Sequence, residues 1–89
     1  METLEQFDTE VKEQLVEEQD LILYNDDVNT FEFVIDTLVN LCGHDMVQAE
    51  QCTYLVHYKG KCGIKRDTFN KLKPLCEALL ERGLSAKIE

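Results

Sequence analysis

Three consecutive polar residues, Asn25-Asp26-Asp27, close the apolar run Leu21-Ile22-Leu23-Tyr24 and stand just ahead of a helix start. A carboxamide and two carboxylates at one strand-to-helix turn supply many hydrogen-bond acceptors, and no Lys or Arg sits beside them. Such a tip suits a cation rich in donors: a metal, an Arg or Lys side chain, or the free amino group of a peptide. The same residues also have a purely local use, because Asn and Asp bond their own backbone at turns and tolerate tight geometry. A calcium loop is a poorer match, since the Asp-x-Asp-x-Asp-Gly spacing and its closing Glu are missing.

His57 is the second chemical candidate. It follows Val56 on the inward side of a helix, near the helix end, where an imidazole can answer the helix dipole or accept a hydrogen bond from a ligand while neutral. His44, in a turn, is expected to face solvent. Cys42, Cys52, Cys62 and Cys76 form no C-x-x-C pair, which argues against a zinc ribbon. Cys42-x-His44 is a weak metal signal, and the cysteines read as small core residues kept reduced in a cytosolic chain. No metal and no cofactor is expected. Catalytic motifs are also missing: the sequence contains neither a nucleophile elbow nor a phosphate-binding glycine loop. Two carboxylates and a histidine can do acid–base work, but a domain this small rarely builds the water-excluded cleft that such work needs.

The elements that must position these residues fit in one domain of 89 residues with an ordinary 44% apolar content. A net charge of −9 disfavours nucleic acid and anionic membranes as partners, because phosphates need Lys and Arg to neutralise them. No apolar run approaches the roughly 20 residues that span a bilayer, and no signal-peptide pattern opens the sequence, so a cytoplasmic monomer is expected. Residues 1–20 carry eight acids against one Lys and read as a flexible acidic arm ahead of a core at 21–89. Leu4, Phe7, Val11 and Leu15 recur there at helical spacing, compatible with a transient amphipathic helix.

Leu21 to Tyr24 predicts a first strand buried on both faces. Asn29 as N-cap, with Glu32 three residues on, predicts a helix whose inward face is Phe31, Val34, Leu38 and Leu41 and which stops at Gly43. Asp45 and Gln48 repeat the capping pattern for a second helix, with Met46, Ala49, Cys52 or Thr53, and Val56 inward and Gly60 at its end. Cys62-Gly63-Ile64 reads as a short second strand. Asp67 or Thr68 caps a third helix carrying Phe69, Leu72, Cys76 and Leu79 inward, in which Pro74 demands a kink or a later start. After Gly83, Leu84 to Ile88 alternates as a last strand. The order β-α-α-β-α-β predicts an α+β fold, a small three-stranded antiparallel sheet with three helices packed on one face.

Leu-Tyr-Asn-Asp-Asp at 23–27, Phe-Glu-Phe-Val at 31–34, Val-His-Tyr-Lys-Gly-Lys at 56–61 and Cys-Gly-Ile at 62–64, in that order, resemble the ClpS adaptor family, and the resemblance runs from Leu21 to about Glu89. It implies a non-enzymatic adaptor that binds proteins bearing a bulky apolar N-terminal residue, the N-degron of the N-end rule. It further implies delivery of those proteins to a ClpA-type or ClpC-type AAA+ unfoldase of the ATP-dependent Clp protease. Asn25 and His57 match family residues that hold the substrate's α-amino group, and Asp26 and Asp27 match the acidic pair beside them. Asn29 falls where the family usually has Thr, Thr30 where it often has Pro, and Phe31 where many members carry Met as gatekeeper of the side-chain pocket. Val34, Thr53, Val56 and Leu84 fall at or near pocket-lining positions, and Lys71 looks like a lysine of the unfoldase-binding face.

The chain also departs from the family pattern. The loop into strand two and the approach to helix three are each about two residues short, and Pro74 is unusual. These differences touch the unfoldase-facing side. A module of the same fold that docks on an unfoldase without reading N-degrons is the alternative.

The physics fits the implied ligand. A free ammonium offers three donors and a full charge, which Asn and neutral His can meet with acceptors and two Asp with negative potential. Burying a Leu or Phe side chain beside it yields roughly 1.5–3 kcal/mol, whereas a Lys or Asp there would strand a charge in an apolar hole.

Overall fold

The computed structural model describes residues 17–89. Its elements run β1 (Glu18–Tyr24), α1 (Phe31–Cys42), α2 (Met46–Lys59), β2 (Lys61–Thr68), α3 (Phe69–Glu81) and β3 (Ser85–Ile88). The three strands form one antiparallel sheet in the order β2-β1-β3. The predicted α+β architecture and element order are therefore those observed. β1 starts three residues ahead of the expected Leu21, because Glu18, Gln19 and Asp20 pair with Thr68, Asp67 and Arg66 of β2. Arg66 also bridges Glu18 and Asp20 across the strands, which gives this polar start of the strand a reason to pair. The rest of the expected acidic arm, including Leu4, Phe7, Val11 and Leu15, lies outside the described residues.

Alternation along β1 decides where the core sits. Leu21 and Leu23 are fully buried under the helices, together with Leu38, Leu72 and Leu79. Ile22 and Tyr24 point to the opposite face and stay half-exposed, so β1 is not buried on both sides as its continuous apolar run suggested. A register shift between Leu21 and Ile22 turns Ile64 of β2 inward, where it is 6% exposed. The strand it belongs to is eight residues long, well beyond the expected Cys62-Gly63-Ile64.

The helices are bounded by chemistry the sequence carries. Asp45 caps α2 by accepting from the Gln48 N–H at 2.8 Å, as predicted. α1 is capped by Thr30, whose hydroxyl accepts from Phe33 N–H, and not by Asn29. α3 runs from Phe69 to Glu81 straight past Pro74. The proline neither starts nor ends it; Pro74 simply lacks the N–H that the Asn70 carbonyl would have received. α3 ends in a Schellman turn: Gly83 N–H reaches the Leu80 carbonyl and Leu84 N–H the Leu79 carbonyl, with Gly83 at φ 83°. Inward faces follow the helical period, with Val34, Thr37 and Leu38 on α1, Ala49, Cys52, Thr53 and Val56 on α2, and Leu72, Cys76 and Leu79 on α3. Met46, expected to face inward, is 54% exposed because it opens α2 beyond the edge of the core.

Candidate functional site

β1 ends where Asn25 N–H donates to the Gly60 carbonyl at 2.9 Å, which fastens the strand tip to the turn between α2 and β2. Only Gly60, at φ 95°, separates those two elements, so the short loop draws the end of α2 down beside the tip. A narrow hollow lies between them, lined by Asn25, Asp26 and Asn29 at its polar rim, by His57, and by Val34, Thr53, Val56 and Leu84 with Leu23 and Tyr24 of β1. It spans about 260 Å³ of unfilled space including its open mouth, but only about 10 Å³ admits the centre of a water molecule. That is room for roughly one water, not for a leucine side chain.

The rim residues differ in how free they are. Asp26 is spent on the turn. One of its carboxylate oxygens accepts from Val28 N–H at 2.9 Å and Asn29 N–H at 2.8 Å, and the other accepts from the Asn29 carboxamide at 2.9 Å. Partial burial works to raise the Asp26 pKa, but the hydrogen bonds from Asn29 and Val28 outweigh it and hold the carboxyl below its ordinary value. Asn29 also donates to the Gly83 carbonyl at 2.9 Å, tying the β1–α1 turn to the α3–β3 turn. This explains why Asn29 does not cap α1: its side chain is engaged on the other side of the turn. Asn25 and Asp27 are exposed, and Asp27 does not line the hollow.

His57 is exposed at the mouth of the hollow and not turned into the core. Among the described residues the only histidine nitrogen in a hydrogen bond is His44 Nε2, so the His57 ring nitrogens are without protein partners. Phe31 does not line the hollow; it packs edge-on against His57, with ring centroids 5.8 Å apart at 78°. Tyr58 flanks the other side of His57 at 5.6 Å. At the floor, Thr53 is 2% exposed and its hydroxyl donates to the Ala49 carbonyl at 2.7 Å, so the hydroxyl oxygen keeps a lone pair beside otherwise apolar walls. Lys71 is exposed on α3, which contributes nothing to the hollow.

Of the residues singled out in the sequence, Asn25, Asp26, Asn29, Val34, Thr53, Val56, His57 and Leu84 meet around one recess, while Asp27, Phe31 and Lys71 stand off it. Leu23 and Tyr24 line it too and were not anticipated there. The signal was available in Leu23, which alternation turns inward two residues before the tip. His44 is buried, not solvent-facing: it is 7% exposed, Nε2 lies 2.8 Å from the Ile64 carbonyl, and Nδ1 is buried without a partner. Cys52 and Cys76 are buried, Cys42 and Cys62 are half-buried, and all four are free thiols. Burial pushes the Cys52 thiol up, and the neighbouring Cys62 adds to the effect. Among the described residues no group of His, Cys, Asp and Glu stands where it could hold a metal ion, and no helix is long and apolar enough to cross a membrane.

Fold and recess together define a small α+β domain with a polar rim at a strand end and an apolar floor between sheet and helices. The chain belongs to the ClpS family: residues 16–87 match the family described as "ATP-dependent Clp protease adaptor protein ClpS". Over 46 residues it is 46% identical to the "ATP-dependent Clp protease adapter protein ClpS" of Salmonella gallinarum (strain 287/91 / NCTC 13346). It is equally similar to proteins of the same name from Escherichia coli O1:K1 / APEC and Cronobacter sakazakii (strain ATCC BAA-894). The matched stretch is 49% of this chain and 43% of each of those relatives, less than half their length.

Proposed function

We propose that this chain captures the free N-terminus of a protein that begins with a bulky apolar residue and hands that protein to a ClpA-type or ClpC-type unfoldase. One observation carries the reading: Asn25 and His57, from distant parts of the sequence, flank the same recess, and its floor is Val34, Thr53, Val56 and Leu84. The Asn25 carboxamide and an unprotonated His57 nitrogen would accept from the ligand's ammonium. The Asp26 and Asp27 carboxylates would supply negative potential without having to touch it. An internal amide has neither the charge nor the donors for such a rim, so the site would read chain ends. Lys71 on the exposed side of α3, away from the recess, would remain available to the unfoldase, as would the acidic residues ahead of β1.

The narrowness of the hollow favours a second reading, a module that docks on the unfoldase without reading N-termini. A Leu-start peptide and its N-acetylated twin, titrated by fluorescence anisotropy, separate the two. Binding of the free amine, with the acetylated form weaker by about tenfold or more, is expected. If neither peptide binds, the docking module stands, and turnover of either peptide would point to an enzyme.

A further inference from the structure

β3 is an edge strand, and its hydrogen-bonding register is fixed by its last pair. Asp20 and Glu89 exchange both main-chain hydrogen bonds at 2.8 Å. Antiparallel pairs alternate between bonded and non-bonded, so Ile22–Lys87 and Tyr24–Ser85 are bonded and Leu21–Ile88 and Leu23–Ala86 are not. The N–H and C=O groups of Ala86 and Ile88 therefore point away from β1, toward an edge that no described residue pairs. Asn25 N–H pointing to Gly60, on the β2 side, has the parity this register requires.

Beside that edge runs a groove of about 400 Å³, lined by Ser85, Ala86 and Lys87, by Tyr24 and Asn25, and by Leu80 of α3. Leu80 is a large apolar side chain left 51% exposed on the rim. Tyr24 and Asn25 line both this groove and the recess that is proposed to hold the ligand's first residue. A polypeptide whose amino group sits at Asn25 starts at the Ser85 end of β3, and the groove leads it along the edge toward Ile88.

We propose that the residues following a captured N-terminus add to the sheet as a fourth strand, parallel to β3, paired with the outward main-chain groups of Ala86 and Ile88. This rests on the N-terminus-capture reading above and extends it. The ligand class becomes an N-terminus followed by several residues able to extend and free of proline, a recognition by main chain that tolerates varied side chains. At about 3.3 Å per residue, the four residues of β3 match roughly four residues of ligand.

The experiment is a length and N-methylation series of Leu-start peptides on the full chain, read by isothermal titration. A two-residue Leu-start amide tests the recess alone. Lengthening it to about five residues is expected to tighten binding roughly tenfold, the net worth of a pair of main-chain hydrogen bonds with some packing on Leu80. Methylating single backbone amides of the long peptide is expected to remove most of that gain at alternate positions and little at those between. Ala86→Pro deletes one outward N–H at an edge position where proline is tolerated, and should bring the long-to-short affinity ratio close to one.

A short ligand that binds with no gain on lengthening overturns the edge proposal and leaves the recess intact. If neither the short nor the long ligand binds, both readings are overturned. Loss on methylation without alternation overturns the strand geometry. Self-association through β3, seen as a dimer in sedimentation that Ala86→Pro abolishes while peptide length has no effect, would assign the edge to a second copy instead.

Discussion

Replacing Phe31 with Met should widen the choice of ligand, and the size of the effect can be worked from the structure. The hollow admits water centres in only about 10 Å³, so any bulky first residue must push something aside. Phe31 stands off the hollow, but its ring packs edge-on at 5.8 Å against His57, which lines the mouth, so a ligand that moves His57 aside must part the two rings. An aromatic pair of this geometry is worth about 0.5–1.5 kcal/mol beyond its buried area, and a ligand that separates the rings forfeits that amount. The forfeit is greatest for Trp, whose ring system is widest, and least for Leu. Methionine is unbranched with three rotatable bonds and yields to an incoming group at little cost. Phe31→Met should therefore shift the Trp-to-Leu affinity ratio toward Trp by about two- to twelvefold, the range that corresponds to 0.5–1.5 kcal/mol. Fluorescence anisotropy with four peptides that differ only in a first residue of Phe, Leu, Tyr or Trp measures the ratio, and a melting curve checks that the variant folds equally well. Equal affinity for all four ligands in the parent chain, unchanged in Phe31→Met, would refute the gating argument.

Three further outcomes follow from the geometry. If His57 accepts from the ligand's ammonium at the rim, His57→Ala should weaken binding of a Leu-start peptide about tenfold, and unchanged affinity would take His57 out of that role. The Asp26 carboxyl titrates below its unfolded value, so its stabilising effect is complete above about pH 4 and is lost as pH falls through the folded-state pKa. The melting-temperature gap between the parent and Asp26→Asn should close over that acid range, and a gap that stays constant would contradict the assignment. Gly83 sits at φ 83° with open space around a would-be Cβ, so Gly83→Ala should cost about 1–2 kcal/mol from backbone conformation alone, measurable by urea unfolding; a loss within error would mean the turn relaxes freely.

What the sequence carried, and what it did not, divides along physical lines. Period and capping were strong enough to place all three helices, because Asp45, Gly43 and Gly60 act on neighbours a few residues away and need no tertiary partner. The length of β2 was not legible: Lys65, Arg66 and Asp67 have poor strand propensity, and they pair only because Leu21, Asp20 and Gln19 lie opposite. His44 was misread for a related reason. Nothing local marks it as buried, and its hydrogen bond goes to Ile64 on another element. Pro74 shows the opposite limit, a strong local breaker overridden by the packing of Leu72, Cys76 and Leu79 on either side of it. At the recess, the tip residues were readable because an acceptor-rich turn is unusual, and the apolar lining through the family resemblance; the narrowness of the hollow was not, since it depends on how Val34, Thr53, Val56 and Leu84 come together from separate elements.

Turn chemistry and the proposed ligand chemistry at the tip, which looked like rival uses of Asn25-Asp26-Asp27, need not compete, because the turn is built by Asp26 and leaves the Asn25 and Asp27 side chains exposed. Asp26 takes three hydrogen bonds from Val28 and Asn29, and Asn29 passes the restraint on to Gly83. The β1–α1 turn, the α3–β3 turn and the end of α2, through Asn25 N–H to Gly60, are thus held to one another around the recess. A carboxylate consumed in this way is lost as a direct contact, yet it fixes the backbone of the turn that follows Asn25 and keeps its negative charge nearby. Rigid placement of a few acceptors lowers the ordering cost of binding, so the tip gains more from an Asp that builds the turn than from an additional free acceptor. By this argument Asp26→Ala should harm ligand binding more than Asp27→Ala, although Asp27 is the more exposed of the two. The reverse order of effects would mean that charge at the rim, and not its rigidity, sets affinity.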